Sequence, residues 1–242
     1  MSKLPRDHNA TRDVDAFLEK VRRTPAPAVP SGKRGRLIFA LDATMSRQPT
    51  WDAACQIQGE MFEATRAIGG LDVQLVYFRG FGECKAGAWQ PDAAGLARLM
   101  GKVACHAGKT QIGKVLTHVK NQTDQGKVGA VVYVGDAFEE DIDAVCHKAG
   151  ELGILGVPVF IFQEGADPIA QRAFREIARL TNGAWCPFDL ASADRLKALL
   201  SAVAVYAAGG LKALEDYGRT DRAGAATALL QQLQGPKGKP PR

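Results

Sequence analysis

A chain of 242 residues with 46% hydrophobic and 24% charged content is long enough for one sizeable core, which excludes disorder throughout. Residues 1–20 hold no apolar signal-peptide core, and the longest nearly unbroken apolar stretch, Leu152 to Phe162, is too short to cross a bilayer, so no membrane span is expected and the cytoplasm is the expected location. The charge of +5 does not mark a nucleic-acid-binding fold: of the 31 Lys and Arg, nine fall in residues 1–36 and three in 235–242, against four Asp and Glu and none, which leaves residues 37–234 net acidic.

Val14, Phe17, Leu18 and Val21 recur at helical spacing behind Thr11, predicting an amphipathic N-terminal helix over 1–23. The prolines of 24–35 predict an extended linker. Arg36 to Leu41 is then an apolar run of strand length, and Pro49 opens a helical pattern that Gly69-Gly70 stops. Val73 to Phe78 repeats the strand signal, Gly80 to Gly87 predicts a hairpin-like turn, and Ala86 to Gln90 a short edge strand. Helices are expected over 92–105 and 111–121, a strand over Ala130–Val134, a helix over 139–152 and a strand over Val157–Phe162. A helix over 168–181, a strand over Ala184–Phe188 and a helix over 191–208 complete the body. Residues 209–242 read as a helical extension with a basic tail. This alternation predicts an α/β fold: three layers, doubly wound, a mostly parallel sheet with helices on both faces over 36–208.

Ligand sites of open parallel sheets lie beyond the carboxyl ends of the strands. There the sequence offers Asp42, Thr44 and Ser46 after the first strand, Thr110 in a loop before a helix, and Asp136 after Ala130–Val134. Two carboxylates and three hydroxyls are hard oxygen donors that suit one Mg²⁺ or Mn²⁺ ion with an open position. Zinc would call for imidazole or thiolate, and His106, His118 and His147 fall inside helical patterns, away from these strand ends.

Over residues 36–206 the chain resembles the von Willebrand factor type A (VWA) domain, whose metal-ion-dependent adhesion site (MIDAS) is a DxSxS loop with a later Thr and a later Asp. Asp42, Thr44 and Ser46 match the loop with Thr for the first Ser, Thr110 in Gly108-Lys-Thr-Gln-Ile-Gly113 matches the second element, and Asp136 the third. Met45, Arg47 and Ala137 depart from the pattern without removing a donor. The resemblance implies direct hydroxyl contacts, one or both carboxylates acting through water, and a coordination position open to a partner protein's carboxylate. It also implies a non-catalytic binding module of the stand-alone bacterial type, working with a partner such as a MoxR-like AAA+ ATPase or in a stress-response complex. The alternatives are a metal-assisted hydrolase with Glu139 or Asp141 as base, and a scaffold with a vestigial site. The run Glu139, Glu140, Asp141, Asp143 reads as acids complementing a helix dipole, or as an acidic rim on the ion.

Other signals lack their context. Gly108-Lys109-Thr110 ends like a phosphate-binding loop, but Val103 stands where that loop needs glycine. No GxSxG motif supports a serine nucleophile. Cys55, Cys84, Cys105, Cys146 and Cys186 are widely spaced with no CxxC pair, the pattern of reduced thiols.

Overall fold

The computed structural model describes residues 34–188 and 193–220. The expected helix over 1–23, most of the linker and the basic tail lie outside the described residues. Within them are strands β1 (Gly35–Asp42), β2 (Leu71–Arg79), β3 (Glu83–Ala86), β4 (Ala130–Gly135), β5 (Val159–Glu164) and β6 (Ala184–Phe188). The helices are α1 (Gln48–Ile57), α2 (Gly59–Thr65), α3 (Ala93–Met100), α4 (Ile112–Gln125), α5 (Ile142–Ile154), α6 (Pro168–Leu180) and α7 (Ala193–Thr220). The described strands form one sheet in the order β3-β2-β1-β4-β5-β6, parallel except for β3.

Alternation along β1 shows why this is a three-layer structure. Leu37, Phe39 and Leu41 pack with Trp51, Met61, Leu96, Met100 and Tyr206, whereas Ile38 and Ala40 pack with Ile112, Leu116, Val145 and Phe174. Helices α1, α2, α3 and α7 thus cover one face and α4, α5 and α6 the other, and the strands bury both sides, as unbroken apolar runs require. The order reverses direction at β1: one half of the chain builds outward through β2, and the other begins at β4 on the opposite side of β1. The carboxyl ends of β1 and β4 flank this switch point, the place where ligands bind in open α/β sheets.

Several boundaries differ from the sequence expectation. The pattern over 49–68 is interrupted at Gln58, where the Met61 amide bonds the Gln58 carbonyl at 3.3 Å in a tighter turn, and ends in a 3-10 turn, Arg66–Ile68. The edge strand is Glu83–Ala86, earlier than expected; Gln90 only bridges Val73. Helix α3, capped by Asp92 accepting from the Gly95 amide at 2.7 Å, ends at Met100 rather than 105, so Cys105 and His106 lie in a loop. Helix α7 runs beyond 208, with Gly210 at φ 73° breaking its regular geometry. Cys105 and Cys186 are buried, and Cys55, Cys84 and Cys146 are half-buried free thiols.

Candidate metal site at the carboxyl edge of the sheet

Asp42 is the last residue of β1, and parallel strands on both sides leave it only 4% exposed. Its Oδ1 accepts the Thr44 amide at 2.7 Å, the tight local turn that an aspartate two residues ahead favours. Its Oδ2 is buried with no hydrogen-bond partner. Burial pushes the Asp42 carboxyl up to about 6; the Thr44 amide and hydroxyl and the Arg47 guanidinium oppose that rise, and the nearby Asp136 charge adds to it. A buried carboxylate oxygen without a partner is costly, and a proton, a water or a bound cation removes the cost.

The turn that follows places the Thr44 hydroxyl 3.4 Å from the Ser46 hydroxyl, with Ser46 exposed. Asp136 follows β4, the strand beside β1, close enough to Asp42 for the two charges to interact. Thr110, buried, sits in the loop before α4 and is tied to the loop after Asp136 by a reciprocal pair: its amide donates to Glu139 Oε2 at 3.2 Å, and the Glu139 amide donates to Thr110 Oγ1 at 3.0 Å. Glu140 then accepts the amides of Ile112 (2.5 Å) and Gly113 (3.0 Å) at the start of α4.

These contacts settle where the acidic run points. Asp141 caps its own helix through the Ala144 amide at 2.8 Å, whereas Glu139 and Glu140 accept from the neighbouring loop and helix. The loop carrying Thr110 is held from its other side as well. The Lys109 amide bonds the Gly80 carbonyl at 3.0 Å, the His106 amide bonds the Ala43 carbonyl at 3.0 Å, and Arg79 donates to the Ala104 carbonyl. Gly108 passes so close to the Gly80 backbone that a β-carbon has no room. Gly108→Ala is therefore expected to push this loop off Gly80 and cost about 1–3 kcal/mol, measured by urea unfolding, with divalent-ion binding weakened in the same protein.

The structure thus brings Asp42, Thr44 and Ser46 into one loop, sets Asp136 beside them, and stitches the Thr110 loop to the Asp136 loop. His106, expected in a helix away from the strand ends, is instead an exposed loop residue bonded through its backbone to Ala43. Two residues outside the expected donor set also lie here. Arg47 is 3.0 Å from Asp136 Oδ2 and 2.5 Å from Glu164 Oε2, and Glu164 also accepts from the Thr50 hydroxyl. Glu164 ends β5, so the strand-end rule that found Asp42 and Asp136 finds it as well.

No protein-family model matches the sequence, and no curated protein matches it. Solved structures do. The pilus adhesin SpaC from Lactobacillus rhamnosus GG aligns with a TM-score of 0.58 at 12% identity over 80% of this chain and 31% of its own. Proximal thread matrix protein 1 from the mussel byssus gives 0.57 at 17% identity, over 71% and 48%. The VWA domain of SpRpn10 gives 0.53 at 12% identity, over 72% of this chain and 95% of that domain. This chain has the VWA fold. It spans about half or less of the adhesin and mussel chains, yet nearly the whole of the isolated SpRpn10 domain, so the VWA fold is the shared unit. In one crystal the MIDAS motif of the mussel protein is occupied by zinc.

The donor set suits a divalent ion on chemical grounds. Among the described residues no cluster of three or more His, Cys, Asp and Glu side chains is placed to hold a metal, and the carboxylates at the switch point are Asp42, whose Oδ2 is buried without a partner, and Asp136, beside the hydroxyls of Thr44 and Ser46. Such hard oxygens match Mg²⁺ or Mn²⁺. No helix among the described residues is long and apolar enough to cross a membrane.

Proposed function

We propose that this protein is a non-catalytic binding module that takes a partner protein through one Mg²⁺ or Mn²⁺ ion held by Asp42, Thr44, Ser46, Thr110 and Asp136. The observation that carries the reading is the buried, unpartnered Asp42 Oδ2 at the switch point of the sheet. When bound, the ion would supply a fixed positive charge with an open position for a carboxylate of the partner. The chain's own contribution is rigidity, because the loops bearing Thr110 and Asp136 are hydrogen-bonded to each other. The zinc-occupied MIDAS of the mussel protein supports a divalent ion at this place in the fold.

The partner is proposed as a cytoplasmic protein such as an AAA+ ATPase or a member of a stress-response complex. The hydrolase reading has less support, because its nominated bases hold the fold: Glu139 accepts from the Thr110 amide and Asp141 caps α5. Pull-down with and without EDTA tests the module. A partner released by chelation supports a metal bridge, and a partner retained in EDTA points to the scaffold reading.

Thr44 offers a finer test. Thr44→Ser is expected to keep Mn²⁺ affinity within about twofold of wild type, and Thr44→Val, which keeps the shape and deletes the oxygen, to weaken it by about tenfold or more in calorimetric titration. Equal affinity for Val and wild type would remove Thr44 from the ligand set.

A further inference from the structure

Arg47 is 12% exposed and lies between carboxylates of two neighbouring strands, with Nη2 3.0 Å from Asp136 Oδ2 and Nη1 2.5 Å from Glu164 Oε2. Glu164 is itself 15% exposed and is further fixed by the Thr50 hydroxyl of α1. The third donor of the guanidinium, Nε, is 3.5 Å from Ser46 Oγ. A planar fork with donors on all three nitrogens can serve both acids at once, which a lysine ammonium at one point in space cannot. Its charge is stationed on one of the two acids of the candidate ion site and its edge beside one of the hydroxyls. Asp42 Oδ2 has no such company. The positive charge therefore contacts Asp136 directly and reaches Asp42 only through space, and a divalent ion drawn to both acids meets a like charge already in place.

We propose that Arg47 is a resident counter-cation of this site. It neutralises Asp136 in the metal-free protein, and an entering divalent ion displaces it from Asp136 while Glu164 retains it at the rim. This inference rests on the reading of Asp42 and Asp136 as metal ligands. It makes Glu164 a positioning residue that determines where the guanidinium goes when it yields.

Calorimetric titration of the full chain with Mn²⁺, run on wild type, Arg47→Gln, Arg47→Lys and Asp42→Ala, tests the idea. Arg47→Gln is expected to bind Mn²⁺ at least tenfold more tightly than wild type, Arg47→Lys to fall between them, and Asp42→Ala not to bind. Glu164→Gln alone should bind about threefold more weakly, because a guanidinium freed from Glu164 settles on Asp136. Glu164→Gln added to Arg47→Gln should change nothing further. A purely structural ion pair would lower the metal-free melting temperature of Arg47→Gln and leave its Mn²⁺ affinity at the wild-type value, which overturns the counter-cation role while the metal site stands. Absence of binding in both wild type and Arg47→Gln overturns the metal reading and this inference with it. Should Arg47→Gln fail to fold, wild-type affinity in Arg47→Lys overturns the proposal instead.

Discussion

Asp42→Asn is expected to yield a protein that is more stable than wild type without metal and unresponsive to divalent ions. The carboxyl stands at about 6 in the folded chain against an ordinary 3.8, with burial as the main cause, so the folded state binds the proton more tightly than the unfolded state does. The sign follows from linkage: this group favours folding at low pH, and its contribution falls as pH rises from about 4 to about 6 and stays level above that. A shift of this size corresponds to at most about 3 kcal/mol of penalty at neutral pH. Urea unfolding in EDTA should show wild type losing stability across that window and Asp42→Asn lacking this loss, with the variant about 1–3 kcal/mol more stable near pH 7.5. Mg²⁺ or Mn²⁺ should then raise the stability of wild type alone. Parallel pH curves for the two proteins would show that Asp42 does not carry this burden.

Glu140→Ala is expected to cost about 2 kcal/mol and to loosen the ion site from a distance. Its carboxylate accepts the first two amides of α4, Ile112 and Gly113, which otherwise lack partners at a helix start, and a charge-assisted bond there adds a favourable interaction with the helix dipole. The same contact fixes the loop from Thr110 to α4 against the loop from Asp136 to α5. Urea unfolding measures the stability loss, and Mn²⁺ titration should show affinity reduced several-fold although Glu140 is not among the proposed ligands. Glu140→Gln should recover part of both, because an amide oxygen still accepts. Unchanged Mn²⁺ affinity in a destabilised Glu140→Ala protein would separate the cap from the site.

How much of this was legible in the sequence depends on how local each cause is. Strands β1, β4 and β5 stand out because both of their faces are buried, so their central positions are apolar and no alternation hides the run. Asp42, Thr44 and Ser46 were legible for a related reason: the last residue of such a run and the turn after it are fixed by chain continuity. Helix ends were less so. The apolar spacing continues past Met100 to Val103, yet the regular helix stops where Gly101 begins a turn, and that misplaced His106. Helical spacing likewise continues through Gln58, although the backbone tightens there. The Arg47 bridge was beyond local reading, since it pairs residues from the loop after β1 with the ends of β4 and β5, and only the strand order makes them neighbours.

The two margins of the sheet bear on how the molecule meets others. On one side β3 is only four residues long, and its outward positions carry charge, with Glu83 paired to Lys85 at 2.9 Å. On the other, β6 contains Pro187, which has no amide hydrogen to offer an incoming strand. Short, charged or proline-bearing margins resist extension of a sheet by another copy, the route by which exposed strands seed fibres. With lateral growth discouraged at both margins of the described sheet, a concentrated solution of this protein is expected to stay free of filaments built by strand addition.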